Sequence, residues 1–531
     1  MTQPPEGTIA DVQAALQQAL SLHQAGQLQD AEALYLAILE TDPDHADANH
    51  LLGLIARRNG NNEAAAELIS KAIRADPDKA IYHNNLGNAL KDLGRLIEAV
   101  ASYRTSLDLN PGSAPTLGNL GRTFLTMERF QDAAECHEKA IALTPDDAEA
   151  HMDLGLALHE LDRLDDALAS YDKALSLNPD YAEAHNNRGI TLQELGRQED
   201  AIACYQTAIE LKPDYSEAHS NLGHLQLLKG DFRNGWNEAN WRWRVEEFSS
   251  EHRQYDKPVW DGGDIAGKQL LVWSEQGIGD EIVNAGMIPD LSGRGIDVVL
   301  ESDTRLTPLF ARSFPGVACI AKEEAPPAFD YHIPAGGLGQ VLRTSLDAFP
   351  EQEPYLTADT ELRADLRTKY GGKESAPLIG LAWNSTSKAI GRQSSLSLTE
   401  LRPVLETPGV TFVDLQYGDT AEQRAALTRD TGVKILHDEA VDQMTGLDAF
   451  AAQVAAMDLV ISIDNSTAYL AGALGVPAWV LLYSAPFWLW GLEREDCLWC
   501  PCTRLYRQTA RGDWKDVVER VARDLAGYSG R

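Results

Sequence analysis

Small residues, apolar residues and turn-forming residues recur every 34 positions through the first half of the chain. Alanines mark one fixed position, at Ala65, Ala99, Ala133, Ala167 and Ala201. Prolines and glycines mark two others, at Pro43, Pro77, Pro111, Pro145, Pro179 and Pro213, and at Gly53, Gly87, Gly121, Gly155, Gly189 and Gly223. A helical pattern interrupted at a fixed period by proline predicts stacked helix–turn–helix units.

This 34-residue period resembles that of the tetratricopeptide repeat family over residues 12–245. Each unit has too little apolar surface to fold alone, so we expect the units to stack. The resemblance implies an α-solenoid, a right-handed superhelix with an extended concave groove. The repeats therefore form the first predicted domain.

The sixth position of each first helix is expected to line the groove, and it carries mostly asparagine. The predicted acceptor-binding residues are Asn85, Asn119, Asn187 and Asn221, and Asp153 interrupts the series. A carboxamide both donates and accepts hydrogen bonds, so such a ladder can hold the backbone of an extended peptide. The pattern resembles the asparagine ladder of O-linked N-acetylglucosamine transferases. The alternative is that asparagine is a consensus residue with no role in binding.

The last unit is atypical, because Trp236, Trp241 and Trp243 are the first tryptophans of the chain. Aromatic residues concentrated on a terminal repeat indicate a surface that packs against the next domain. We expect this sealing role rather than a ligand cage.

Short β-rich segments alternate with helical ones from residue 269 onward, which predicts α/β structure with parallel sheets. The breaker-rich stretch "TKYGGKESAP" divides the region into two lobes, 255–365 and 376–527. Two such lobes place a cleft at the carboxyl ends of their strands, where α/β folds bind nucleotides.

Three segments of this half, "WSEQGIGDEI", "DLVISIDNSTAYLAGALGVPAWVLL" and "LYRQ", resemble bacterial tetratricopeptide-linked glycosyltransferases of GT-B fold. These enzymes are distantly similar to heptosyltransferases, and some members modify flagellin. The resemblance implies two Rossmann-like lobes and inverting transfer from a nucleotide sugar. Many relatives have His where this chain has Tyr469, a departure that bears on donor binding or activity.

The segment "DNST" follows an apolar strand and begins a helix, where unpaired N–H groups and a partial positive charge favour phosphate. We predict donor binding by Asp464, Asn465, Ser466 and Thr467, with ordinary helix capping as the alternative. Lys388 and Arg392 lie in the polar segment "WNSTSKAIGRQSS" and are expected to neutralise the leaving nucleotide. The alternative is that Lys388 and Arg392 belong to a solvated loop and do not contact the nucleotide.

Asp280 is the predicted catalytic residue. Gly277 and Gly279 are expected to make a tight strand-to-helix turn that places Asp280 at the cleft, where a carboxylate can take the proton of the attacking hydroxyl. The resemblance to heptosyltransferases implies the same role. Helix capping is the alternative for Asp280, and Glu275 and Glu281 are nearby substitutes. The Asp-x-Asp spacing of metal-dependent glycosyltransferases occurs only in repeat turns, so no metal is expected.

The net charge excludes some classes of partner. A formal net charge of −34 argues against binding of nucleic acid and against binding to an anionic membrane. No signal peptide or apolar stretch of membrane-spanning length is recognised, which predicts a cytoplasmic protein. "CLWCPC" lacks a second pair with zinc spacing, so reduced thiols are expected.

With these patterns, the resemblance implies a protein O-glycosyltransferase without a cofactor. Its groove would hold a protein acceptor, flagellin being the first candidate, while the α/β half transfers a sugar from a nucleotide donor to Ser or Thr. Two alternatives stay open: a catalytically inactive repeat scaffold, and a transferase with a glycan or lipid acceptor.

Overall fold

The computed structural model describes residues 6–245, 248, 250, 252–351, 353–371, 376–385 and 394–528, with side chains from residue 12 onward. The chain divides into two compact units, residues 1–191 and residues 192–531. Helical repeats come first and parallel α/β structure follows, as the sequence pattern predicts.

Paired helices fill the chain up to residue 239, and a 3-10 turn over Asn240–Arg244 follows them. The pairs are formed by α1 (Glu6–Gln24), α2 (Leu28–Thr41), α3 (Ala46–Arg58), α4 (Asn62–Ala75), α5 (Ala80–Asp92), α6 (Leu96–Leu109), α7 (Ala114–Thr126), α8 (Phe130–Leu143), α9 (Ala148–Glu160), α10 (Leu164–Leu177), α11 (Ala182–Glu194), α12 (Gln198–Leu211), α13 (Ser216–Leu228) and α14 (Phe232–Ala239). The boundary between the two units falls within α11, so α12 to α14 belong to the second unit.

The repeated glycines are explained by close packing inside each helix pair. A Cβ atom on Gly87 would lie 2.5 Å from the Tyr103 ring, and one on Gly155 would lie 2.5 Å from the Tyr171 ring. Ala99 is fully buried beside this contact. The 34-residue pattern therefore records where one helix backbone meets the large side chain of its partner.

His137 occupies the position that Tyr103 and Tyr171 hold in neighbouring repeats. Its side chain is fully buried, and neither ring nitrogen has a hydrogen-bond partner among the described residues. Burial, aided by the charge of Arg122, lowers the pKa of His137 to about 4. The imidazole is therefore neutral in the folded repeats at pH 7.

We expect His137 to make the first unit acid-sensitive between pH 6.5 and pH 4. Folding lowers its pKa from the ordinary histidine value of 6.5 to about 4, so the unfolded chain takes up the proton first as the pH falls. The stability that neutral His137 preserves is complete above pH 6.5 and is lost by pH 4, at most about 3 kcal/mol. His137→Tyr should reduce the fall in unfolding free energy between pH 7 and pH 5, measured by urea titration of the helical signal. Equal falls in parent and variant would refute this role.

The first sheet is a four-stranded parallel sheet of order β3-β2-β1-β4. Its strands are β1 (Gln269–Trp273), β2 (Asp297–Ser302), β3 (Ala318–Ala321) and β4 (Tyr331–Pro334). Its helices are α15 (Ile278–Ala285), α16 (Ile288–Gly293), α17 (Thr307–Ser313) and α18 (Leu338–Leu342), with 3-10 turns over Ala335–Gly337 and Leu346–Ala348. In β1, Leu270 and Val272 face the core while Leu271 and Trp273 face the opposite side, as alternation in a strand requires.

The second sheet has six parallel strands in the order β10-β9-β8-β5-β6-β7. Its strands are β5 (Leu378–Ala382), β6 (Thr411–Asp414), β7 (Ile435–Leu436), β8 (Leu459–Ile463), β9 (Ala478–Leu482) and β10 (Thr503–Arg507). The helices are α19 (Thr360–Gly371), α20 (Arg402–Leu405), α21 (Ala421–Thr431), α22 (Leu447–Ala455), α23 (Ser466–Ala473) and α24 (Trp514–Ala526), with a 3-10 turn over Trp488–Trp490. The strand order reverses between β5 and β8, where Ala382 pairs with Ser462. Ligands of open α/β sheets bind at such a reversal.

The tryptophans of the last repeat seal it against the α/β structure, as predicted. Trp236 meets Trp488 edge-on with ring centroids 5.3 Å apart, and its Nε1 donates to the Arg343 carbonyl at 2.8 Å. Trp243 packs against Trp273 at 5.6 Å. Trp241 differs, since it stacks on His219 within its own repeat. None of the helices in the described part of the chain is long and apolar enough to cross a bilayer.

Candidate functional site

The start of α23 lies directly after β8, at the reversal of the second sheet. Asn465 caps this helix, because its Oδ1 accepts from Thr467 N at 3.0 Å and from Ala468 N at 3.3 Å. Ser462 Oγ donates to the same oxygen at 2.9 Å. The capping role that the sequence offered as an alternative is thus present, but it uses the Asn465 oxygen alone.

Several polar atoms around this helix start are buried and unpaired. Asp464, Asn465 and Thr467 are 3%, 7% and 0% exposed. Within the described part of the chain, Asn465 Nδ2 and Thr467 Oγ1 find no hydrogen-bond partner. Because buried polar groups are almost always paired in folded proteins, such a cluster indicates a place where a polar ligand completes the bonding. Ser466 stands beside them, half-buried.

Tyr469 occupies the position at which many relatives carry His. Its hydroxyl donates to Asp464 Oδ1 at 2.6 Å, and its ring stacks on Trp490 with centroids 5.3 Å apart. Burial raises the pKa of Asp464, and the hydrogen bonds from Tyr469 and Trp490 oppose that rise. Tyr469 therefore holds Asp464 in place beneath the helix start.

Asp280 lies in the first turn of α15, the helix that follows β1 of the first sheet. Its Oδ2 accepts from Gly277 N at 3.2 Å, so it caps the helix, and the carboxylate is half-buried. Burial raises the pKa of Asp280 to about 6, and the charges of Glu275 and Asp464 add to the rise. This carboxylate can exchange a proton near neutral pH, which a cap alone does not require.

The glycines of the loop do not make the tight turn that we expected of them. Gly277 has an ordinary φ of −101°, and Gly279 lies inside α15, whereas Gln276 takes the left-handed φ of 65°. Gly279 serves close approach instead, because a Cβ there would lie 3.1 Å from the Tyr469 ring. The expectation of a glycine turn was wrong, since Gly at such positions also permits contact between elements.

The starts of α15 and α23 therefore meet. A Cβ on Gly279 would also lie 3.8 Å from Ser466 Cβ, and the Asp464 charge acts on Asp280. The structure thus brings the predicted catalytic residue together with the four donor-binding residues of the "DNST" segment. Lys388 and Arg392 lie outside the described residues.

The two substitutes for Asp280 are engaged elsewhere. Glu275 is buried and forms an ion pair with Arg242, 3.0 Å from Oε1 to Nη2. Glu281 accepts from Ser274 Oγ at 2.6 Å and from Asp303 N at 2.8 Å. Both carboxylates support the loop, and Asp280 is the one left with solvent access. Sequence reasoning missed Arg242, although a charge between Trp241 and Trp243 was a signal of burial.

In the first unit, the predicted ladder residues bond to their neighbours. Asn85 Nδ2 lies 2.8 Å from His50 Nε2, and Asn119 Nδ2 donates to Asn84 Oδ1 at 3.1 Å. Asn187 makes a weaker contact with Met152, 3.8 Å from Nδ2 to Sδ. These bonds link successive repeats, while each Oδ1 already accepts a hydrogen bond from within its own helix.

Asp153 and Asn221 complete the series. Arg122 Nη1 lies 3.4 Å from buried Asp153, which explains how a carboxylate replaces asparagine there. Burial raises the pKa of Asp153 to about 6 despite this partner. Asn221 lies on α13 of the second unit.

The structure shows how the cysteines are placed. All six are free, and Cys497 and Cys500 are buried while Cys502 is exposed. Within the described ranges, no group of three or more His, Cys, Asp or Glu side chains is arranged to hold a metal ion.

The tetratricopeptide repeat family matches the chain at residues 16–80, 50–114, 119–182 and 170–203, and a TPR repeat matches residues 194–230. Protein FlbA of Caulobacter vibrioides is 34% identical over 322 residues, which cover 57% of this chain and 54% of FlbA. The chain thus spans about half the length of this curated relative.

Two solved structures show the same kind of similarity. YrrB, described as a TPR protein with an unusual peptide-binding site, is 22% identical with a TM-score of 0.31, covering 35% of this chain and 95% of YrrB. PilF of Pseudomonas aeruginosa is 23% identical with a TM-score of 0.37, covering 40% of this chain and 97% of PilF. TM-scores of this size establish no common fold for the whole chain. The sequence matches identify the helical part, from residue 16 to residue 230, as tetratricopeptide repeats.

Proposed function

We propose that the chain is a metal-independent, inverting glycosyltransferase of GT-B type that moves a sugar from a nucleotide donor to Ser or Thr of a protein. The observation that carries the proposal is the meeting of two helix starts. One, at α23, presents buried and unpaired polar atoms, and the other, at α15, presents a carboxylate with a pKa of about 6.

The proposed nucleotide-donor site is supported by the sheet topology as well as by the side chains. The second sheet has the strand order of nucleotide-binding α/β folds, and α23 begins at the carboxyl end of β8, beside the end of β5. The N–H groups of a helix start favour phosphate. Asn465 Nδ2 and Thr467 Oγ1 are then the side-chain donors for the diphosphate, within reach of the start of α15.

Asp280 supplies the base in this proposal. With a pKa of about 6 it is mostly ionised at pH 7, so it can accept the proton of an acceptor hydroxyl as that oxygen attacks the anomeric carbon. Gly279, the neighbour of Asp280 in the first turn of α15, approaches Ser466 and Tyr469 of α23, and the charge of Asp464 acts on Asp280. Below about pH 6 the fraction of ionised base falls, and kcat/KM is expected to fall with it.

The repeats supply the protein acceptor in this proposal. Tetratricopeptide repeats typically bind peptides or proteins, and YrrB carries a peptide-binding site by its own description. Flagellin is the first acceptor to try, on the resemblance of the α/β half to enzymes that modify it.

We expect Asn119→Ala with Asn187→Ala to weaken acceptor binding about tenfold or more while nucleotide affinity stays unchanged. Each amide offers hydrogen bonds worth about 0.5–1.5 kcal/mol net. Fluorescence titration with the acceptor checks this, and Asn110→Ala with Asn178→Ala, two exposed asparagines that follow repeat helices, is the matched control. Equal affinity for both double variants would return these residues to a structural role.

A scaffold without catalysis is the second candidate. The bond from Tyr469 to Asp464 favours it, because the phenol occupies a carboxylate oxygen at the centre of the site. This candidate expects protein binding without nucleotide binding.

Nucleotide binding separates the two candidates. Isothermal titration calorimetry with UDP, GDP, CDP and CMP should show saturable binding of one of them, and Thr467→Val should weaken it about tenfold by removing one donor. Removal of an unpaired buried hydroxyl should leave the apo protein as stable or more stable. Absence of binding for all four nucleotides would overturn the transferase proposal and favour the scaffold.

A further inference from the structure

The loop that leads from β1 to α15 contains a backbone conformation that its residue disfavours. Gln276 has a φ of 65°, although it carries a side chain and stands next to a glycine that does not use such an angle. A non-glycine residue stays in this region when the surrounding structure holds it there. The contacts on both sides of Gln276 are therefore expected to be strong.

Glu275, the residue before the turn, is held by Arg242 of the 3-10 turn that ends the repeats. Arg242 Nη2 lies 3.0 Å from Oε1 and 3.3 Å from Oε2, and Nε lies 3.4 Å from Oε2. Both side chains are buried, and a Cβ on Gly336 would lie 2.3 Å from Glu275 Oε1. The Glu275 carboxylate is thus held in one position, with the backbone of Gly336 against its other side.

The residues around this pair come from the repeat side as well. Arg242 Nη1 donates to Asn240 Oδ1 at 2.9 Å, and Asn240 Nδ2 donates to Gln340 Oε1 at 2.6 Å. Gln276 N donates to Ser250 Oγ at 2.6 Å. The segment that follows α14 therefore fixes both Glu275 and the strained residue after it.

We propose that Arg242 is a positioning residue for Asp280, and that its ion pair with Glu275 holds the β1–α15 loop so that the last repeat sets the place and the charge environment of the base. The inference rests on the proposed role of Asp280. It gives the repeats a second task, which is to organise the transfer site.

The charged groups around Asp280 and Arg242 determine the direction in which the pKa of Asp280 should change in the variants. Asp280 faces Glu275 from its own loop and Asp464 and Tyr469 from the α23 segment. Burial raises the pKa of Asp280, and the charges of the two carboxylates add to that rise. His224 of α13 faces Arg242, and burial, aided by the Arg242 charge, lowers the pKa of His224 to about 4, so it is neutral at pH 7.

Glu275→Gln changes the charge that Asp280 experiences. The variant removes a negative neighbour of Asp280, so the pKa of Asp280 falls. The acid limb of the pH profile of kcat/KM should therefore move to lower pH.

The test uses the full chain with Arg242→Met, Arg242→Lys and Glu275→Gln. Hydrogen exchange measured by mass spectrometry should quicken at least tenfold over residues 274–281 in Arg242→Met. The matched control is Arg244→Met, two residues along the same turn and exposed, where exchange should equal that of the parent. Unchanged exchange in Arg242→Met would overturn the inference whatever the activity is.

Kinetics tests the effect on the base. Glu275→Gln should move the acid limb of kcat/KM down by at least half a pH unit, and Arg242→Met should lower kcat at least tenfold at unchanged donor Kd. Arg242→Lys keeps the charge and should restore kcat. An unmoved acid limb in Glu275→Gln, or a parent-like kcat in Arg242→Met, would overturn the inference. A parent that binds nucleotide but transfers nothing would instead overturn the proposed function, and the exchange result would still decide the loop-holding role of Arg242.

Discussion

Asp280→Asn is expected to lower turnover by about 10²- to 10⁴-fold, the loss usual for removal of a general base. Asn keeps the shape of Asp and still accepts a hydrogen bond from Gly277 N, so the start of α15 should stay intact. It has no basicity, so proton removal from the acceptor hydroxyl fails. Nucleotide affinity measured by calorimetry should match that of the parent, and the loss of activity should appear in kcat.

The stability of Asp280→Asn, unlike its turnover, should not fall. The pKa of Asp280 is raised when the chain folds, from 3.8 to about 6, so its negative charge weakens the folded state at neutral pH. Removal of the charge should therefore leave the melting temperature at pH 7 equal or higher. Glu281→Gln is the contrasting variant, because Ser274 Oγ donates to one oxygen of Glu281 and Asp303 N donates to the other. An amide keeps only one of these two acceptors, so the melting temperature of Glu281→Gln should fall. Parent-like turnover in Asp280→Asn would reduce Asp280 to a helix cap.

Asn465→Asp should weaken nucleotide binding by about 100-fold or more. The variant keeps the oxygen that caps α23 but replaces the unpaired Nδ2 donor with a second oxygen and adds a negative charge. Loss of a charge-assisted hydrogen bond costs about 1.5–3 kcal/mol, and repulsion of the phosphate adds to that loss. Isothermal titration calorimetry with the nucleotide that the parent binds gives the ratio of the two Kd values.

Asn61→Asp is the matched control, since Asn61 caps α4 of the repeats through the same oxygen, 3.2 Å from Ala64 N. It makes the same chemical change at an exposed helix start and should leave nucleotide affinity unchanged. If Asn465→Asp binds as tightly as the parent, the phosphate does not lie at α23.

The helical repeats could be predicted from the sequence because their pattern is local and periodic. Gly87 and Ala99 each stand at a fixed place in a 34-residue unit, and the structure shows both at close contacts between helices. The alternation of parallel strands and helices could also be predicted from the sequence, because the strands of a buried parallel sheet are apolar on both faces. Such patterns report burial within a segment.

The site was predicted in part, for the same reason. Asp280 and the residues from Asp464 to Thr467 each follow a strand, so their place at a sheet edge follows from sequence. The pair of Arg242 and Glu275 spans 33 residues and depends on how a repeat end meets a loop. No periodicity carries that information. The tight turn was assigned to Gly277 and Gly279, whereas the left-handed angle of this loop lies at Gln276, because residue preference does not show which residue the surroundings strain.

The most direct measurement is the intact mass of a candidate acceptor, flagellin first, after incubation with the full chain and nucleotide sugars. The account predicts a mass increase of one or more sugar residues at Ser or Thr with the parent, and its near absence with Asp280→Asn at equal nucleotide occupancy. An acceptor that binds the repeats tightly and keeps its mass with every donor, while the parent binds nucleotide, would contradict the account.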